Sequence, residues 1–187
     1  MKIRLATLEI QKDSIVDGEG IRSVIWTQGC RHHCFGCHNP ETHSFQEGFL
    51  VEVEEVKQQI STLEGQDGIT FSGGDPMEQA EACTEIAKYC KNIGLNVWCY
   101  TGYTFEELLR RQKHFPFIKD FLENIDVLVD GKFELTEKSY DVIFRGSKNQ
   151  RLIDVPESLK QNKTIIVTKY DSSNQNEKGR KNHYMYI

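Results

Sequence analysis

Ile69-Thr-Phe-Ser-Gly-Gly-Asp-Pro76 is the stretch on which the fold turns. Its opening, Ile69–Ser72, has the apolar, β-branched and aromatic character of a buried strand. Two glycines break that strand, and Asp75 followed by Pro76 is the N-cap and first-position signature of a helix. Met77, Ala80, Cys83, Ala87 and Cys90 then recur at helical spacing until Gly94 ends the pattern. A second strand, Leu95–Tyr100, follows at once. Strand, crossover helix and strand in this order form a right-handed βαβ unit, which sets the two strands parallel.

The alternation continues on both sides. Further runs of strand length lie at Ile21–Thr27, Ile125–Val129, Arg151–Val155 and Thr164–Lys169. Val53, Val56, Ile60 and Leu63 mark an amphipathic helix closed by Gly65, and Thr104-Phe-Glu-Glu107 is a capping box. The pattern predicts an α/β fold with about five to six mostly parallel strands, too few for a closed eightfold barrel. An open partial (βα) barrel over residues 1–170 is the expected architecture. The polar stretch 171–187, which includes Asp171-Ser-Ser-Asn-Gln-Asn-Glu177, is expected to be a mobile tail.

Charge and composition narrow the function. A net charge of −5 over 187 residues argues against a nucleic-acid binder that works by neutralising phosphates. No apolar run approaches the roughly 20 residues of a membrane span, and the first residues lack a signal-peptide core. A cytoplasmic location is expected, where the six cysteines would stay reduced.

Three of those cysteines fall within eight residues, Cys30-Arg-His-His-Cys-Phe-Gly-Cys37. Soft thiolates at this spacing suit a small inorganic centre, either an iron–sulfur cluster or zinc. A zinc knuckle would recruit His32, His33 or His38, but no paired second half of a zinc site follows along the chain. In a 4Fe–4S cluster, three cysteines leave one iron without a protein thiolate and open to another ligand. The cysteine loop follows the strand ending near Thr27, and Gly73-Gly74-Asp75 follows the strand ending at Ser72. In a parallel sheet both therefore fall on the rim where sites gather. Cys83, Cys90 and Cys99 sit on apolar faces and are expected in the core with Trp26 and Trp98, and His43 and His114 show no partner in the sequence.

This combination resembles the radical S-adenosylmethionine superfamily. Within it the chain is similar to the activators of anaerobic ribonucleoside-triphosphate reductases. The matching segments are Asp17–Arg22, Gly29-Cys30, Gly36-Cys37-His38-Asn39, Ser72–Pro76, Tyr100–Tyr103, Asp130–Phe133 and Arg145–Arg151. The resemblance implies a 4Fe–4S cluster on Cys30, Cys34 and Cys37 and a cofactor, S-adenosylmethionine, bound near Gly36, His38, Gly73, Gly74, Asp75, Asp130 and Lys132. It further implies that the reductase is the protein substrate, that a flavodoxin or similar protein donates the electron, and that the product is a glycyl radical. A pyruvate formate-lyase activator, a modified-base synthase and a binding module without turnover are the alternatives. Arg145 and Arg151 could serve the fold, the partner or the cofactor.

Overall fold

The computed structural model describes residues 1–170; the stretch 171–187, read above as a tail, lies outside the described residues. In chain order the strands are β1 (Lys2–Leu5), β2 (Gln11–Ser14), β3 (Arg22–Thr27), β4 (Phe49–Glu52), β5 (Gly68–Gly73), β6 (Asn96–Tyr100), β7 (Val127–Asp130) and β8 (Arg151–Asp154). The helices are α1 (Val53–Ser61), α2 (Ala80–Asn92), α3 (Phe105–Arg111), α4 (Pro116–Leu122) and α5 (Val155–Gln161). All eight strands join one sheet in the order β4-β1-β3-β5-β6-β7-β8, with β2 paired to β3.

The core of that sheet is parallel: β3 pairs with β5, β5 with β6 and β6 with β7. Its margins are antiparallel. β1 and β2 share the other edge of β3, and β8 returns beside β7. The strand count exceeds expectation because β1, β2 and β4 are four-residue pieces of mixed polarity, invisible to an apolar-run reading. Conversely, Thr164–Lys169 contributes one bridge, Ile153 with Ile166, rather than a strand. It is held on β8 by the Asp154 amide to Ile165 O at 2.9 Å and the Val167 amide to Leu152 O at 2.8 Å.

Strand alternation divides the sheet into two faces. Ile25, Ile69, Phe71, Val97, Cys99, Leu128 and Ile153 belong to the main core with the buried stripes of α1, α2, α3 and α4. Trp98, Val129 and Leu152 pack together on the opposite face with Tyr100 and Phe144. Cys83, Cys90 and Cys99 are all fully buried, as expected of small hydrophobes, and desolvation pushes their thiols upward, that of Cys90 to about 12. Trp98 is core, whereas Trp26 is half-buried and donates from Nε1 to Gln11 Oε1 at 2.8 Å. Among the described residues no helix is long and apolar enough to cross a membrane.

Candidate functional site

Two loops meet at the carboxyl end of the parallel strands. The cysteine loop leaves β3 after Thr27, and the Gly73-Gly74 loop leaves β5 beside it. Backbone hydrogen bonds join them: the Gly74 amide donates to Thr27 O at 2.7 Å, and the Asp75 amide to Gly29 O at 2.9 Å. Their approach explains the glycine at 74, because a Cβ there would stand 2.5 Å from Gly29 O. Cys30, Cys34 and Cys37 line one cleft of about 140 Å³ with His38, Gly73, Gly74, Thr101 and Phe133.

Cys30 is buried, and Cys34 and Cys37 are half-buried. Desolvation pushes the Cys30 thiol up to about 11 and raises Cys34 as well. Backbone amides oppose the rise: those of His32 and His33 act on Cys30 and that of Phe133 on Cys34. These donors would also stabilise thiolate sulfur once a metal has displaced the protons. His43, given no role from the sequence, lines the same cleft with Nε2 buried and without a hydrogen-bond partner among the described residues. Soft donors, amides at sulfur and an orphaned imidazole nitrogen fit an iron–sulfur cluster in this place.

Of the histidines that a zinc knuckle would recruit, one has a ring nitrogen bonded to another side chain, and the other two make ring contacts. His32 bonds Asp75, the His33 ring stands edge-on to His43, and His38 lies 4.6 Å from Phe133 between ring centroids. Among the described residues no three His, Cys, Asp or Glu side chains converge to hold a single ion.

The other expected cofactor residues divide. Gly73, Gly74 and His38 line the cleft. Lys132 is exposed and outside its lining, yet close enough for its charge to lower the Cys34 thiol. Gly36 is exposed and faces Leu135. The two carboxylates have protein partners. Asp75 is buried and accepts from the Met77 amide, Thr101 Oγ1, the Gly102 amide and His32 Nε2, at 2.6 to 3.0 Å. Asp130 is buried and accepts from Arg151 Nε at 2.9 Å, Arg151 Nη2 at 2.5 Å and the Phe105 amide at 2.8 Å. Both are satisfied by protein donors, as a carboxylate at a desolvated strand end must be. Arg151 reaches Asp130 because the two are opposite in the β7–β8 register, and it makes an internal ion pair there.

Sequence reading attached no role to Tyr100, Thr101, Gly102, Asn39 or Gln150, which also line the cleft. Tyr100 ends a predicted strand and Thr101 and Gly102 follow it, and all five lie in segments that carried the family resemblance, which were the available signals.

A thiol-lined cleft on this rim, within a chain whose residues 16–153 match a family model described as a 4Fe-4S single cluster domain, defines the class as a single-cluster iron–sulfur protein. The anaerobic ribonucleoside-triphosphate reductase-activating protein of Haemophilus influenzae is 32% identical over 153 residues, covering 76% of this chain and 94% of that protein. The protein of the same name from Escherichia coli K12 is 34% identical over 145 residues, covering 73% and 90%. That of Enterobacteria phage T4 is 33% identical over 143 residues, covering 73% and 86%. The chain belongs to the family of anaerobic ribonucleoside-triphosphate reductase-activating proteins.

Proposed function

We propose that this chain is a radical S-adenosylmethionine activase that installs a glycyl radical on an anaerobic ribonucleoside-triphosphate reductase. Its mostly parallel sheet would then be an open partial barrel of that superfamily. One observation carries the reading: the three thiols and the Gly73-Gly74 backbone line a single cleft, and the loops bearing them are hydrogen-bonded to each other. Cys30, Cys34 and Cys37 would hold one 4Fe–4S cluster, leaving an iron for the amino and carboxylate groups of S-adenosylmethionine. When bound, the reduced cluster and its cofactor supply a one-electron cleavage of the sulfonium to methionine and a 5′-deoxyadenosyl radical, which removes a hydrogen atom from a glycine Cα.

The chain's own residues set the conditions for that chemistry. Gly73 and Gly74 line the cleft with backbone alone, since a Cβ at either would strike Thr27 or Gly29 of the neighbouring strand and loop. Lys132 places positive charge beside Cys34, suited to a carboxylate at the rim. His38 and Phe133, in ring contact with each other, form one wall of the cleft. The electron comes from an external donor of the flavodoxin kind, and neither nucleic acid nor membrane is a partner.

Anaerobic reconstitution should load about four irons and four sulfides per chain. Dithionite with S-adenosylmethionine should then release 5′-deoxyadenosine, and mixing with the reductase should give a glycine-centred doublet by electron paramagnetic resonance. A fully loaded sample that releases no 5′-deoxyadenosine refutes the proposal.

A further inference from the structure

We propose that His32 is a positioning residue that latches the cysteine loop to the two loops that receive the cofactor, an inference that rests on the function proposed above. His32 stands between Cys30 and Cys34, and its Nε2 donates to Asp75 Oδ2 at 2.6 Å. Side-chain exposures of 7% and 1% make this a desolvated contact, where a hydrogen bond is strongest. The same carboxylate accepts from the Met77 amide at 3.0 Å and from Thr101 Oγ1 and the Gly102 amide, each at 3.0 Å. Asp75 thus gathers donors from the loops that follow β3, β5 and β6.

Packing fixes the ring as well as its nitrogen. The His32 and Tyr103 ring centroids are 4.5 Å apart in an edge-on arrangement. Beneath the imidazole lies Gly102, where a Cβ would stand 2.3 Å from His32 Cδ2, so the seat exists only while residue 102 is glycine.

The cysteine loop has its own backbone anchors. The Gly29 amide donates to Thr42 O at 2.8 Å, the Cys30 amide to His43 O at 3.0 Å and the Cys37 amide to Cys34 O at 3.1 Å. His32 adds a side-chain tie across loops. The latch holds the three thiols in register with the Gly73-Gly74 backbone, and thereby with whatever binds there. Asp75 acts in it as the common anchor rather than as a ligand contact.

The test uses the full chain, reconstituted anaerobically, as wild type and as His32→Ala, His32→Gln and Gly102→Ala. Iron and sulfide content, S-adenosylmethionine affinity by equilibrium dialysis, and the cofactor-induced change in the reduced cluster's paramagnetic resonance spectrum are measured. His32→Ala should keep its iron yet bind S-adenosylmethionine roughly 10- to 100-fold more weakly, the range a hydrogen bond to a buried charged group commands. Its spectral response should shrink. His32→Gln, whose amide can donate to Asp75, should recover part of both, and Gly102→Ala, which unseats the ring, should resemble His32→Ala. Should His32→Ala fail to hold iron, the other two variants decide by the same readouts. Wild-type affinity and spectral response in the iron-loaded variants, even with a lowered melting temperature, would overturn the latch alone. A wild-type cluster that ignores S-adenosylmethionine would overturn the proposed function and the latch with it.

Discussion

Arg151→Met strips the buried Asp130 of its cation and frees the more exposed Glu106 with it. Asp130 has no exposed surface, and Arg151 supplies two of its three hydrogen bonds, the Phe105 amide supplying the third. Hydrogen bonds to charged groups contribute about 1.5–3 kcal/mol each, so the two together set a ceiling of about 3–6 kcal/mol. Breaking a buried ion pair costs about 3–5 kcal/mol by itself. Arg151 is 33% exposed, however, so water can reach the site and screen the pair, which brings the expectation to about 2–4 kcal/mol. For a chain of this size that is a fall of roughly 4–16 °C in melting temperature, followed by circular dichroism on the metal-free protein. Adding Asp130→Asn should recover part of the loss, since no charge is then left buried and unpaired. An Arg151→Met protein that melts within about 2 °C of wild type would refute the reasoning. If it also bound S-adenosylmethionine poorly when reconstituted, Asp130 would be a cofactor contact after all.

Glu106 gives a pH signature. Arg151, with help from Thr164, holds its carboxyl down at about 2, from an ordinary 4.5. A depressed folded value stabilises above the unfolded value, so this contribution is complete above pH 4.5 and disappears as pH falls toward 2. Glu106→Gln should flatten urea-unfolding midpoints across that window; an unchanged slope would rule the pair out as its source. Alanine at Cys30, Cys34 or Cys37 should abolish iron loading. Cys83→Ala should keep it and cost on the order of 1 kcal/mol for the cavity, and loss of iron there would unseat the core assignment. Gly74→Ala should depress iron loading while the chain stays folded by circular dichroism, because the new Cβ forces the two loops apart. Arg22→Lys should destabilise by about 2–3 kcal/mol in urea, since an ammonium cannot replace all five guanidinium donors, and should leave iron content unchanged.

Legibility followed the range of the interaction. The βαβ unit around Gly73-Gly74 could be read because buried parallel strands are apolar and helix starts are marked locally. Asp75 does cap through the Met77 amide, and Thr104 and Glu107 form both bonds of their capping box. β2, Gln11-Lys-Asp-Ser14, carries no such pattern and exists because β3 offers an edge. The cysteines declared themselves by spacing. The fates of Asp75 and Asp130 did not, because each depends on a partner distant in the chain: His32 is 43 residues from Asp75, and Arg151 is 21 from Asp130. A carboxylate at a strand end looks the same in sequence whether it meets a ligand or an arginine.

The opposite end of the same strands shows why cleft size alone would mislead. A groove of about 860 Å³ lies there, at the amino ends of β3, β5, β6 and β7, far roomier than the thiol-lined cleft. Its inner wall is Arg22, buried without a carboxylate bonded to it. Its five N–H groups go to Thr70 Oγ1, Glu19 O, Asn96 Oδ1, Ile69 O and Asn96 O, and its guanidinium lies 5.3 Å from the Trp98 ring centroid. Desolvation lowers the group to about 10, which still leaves it cationic at neutral pH. Every donor is spent within the protein, so Arg22 ties the starts of three strands together rather than awaiting an anion. The segment Asp17–Arg22, which the family resemblance singles out, thus braces the amino ends of the central strands. The thiols and glycine backbones on which the proposed chemistry depends line the smaller cleft, at the carboxyl ends of the same strands.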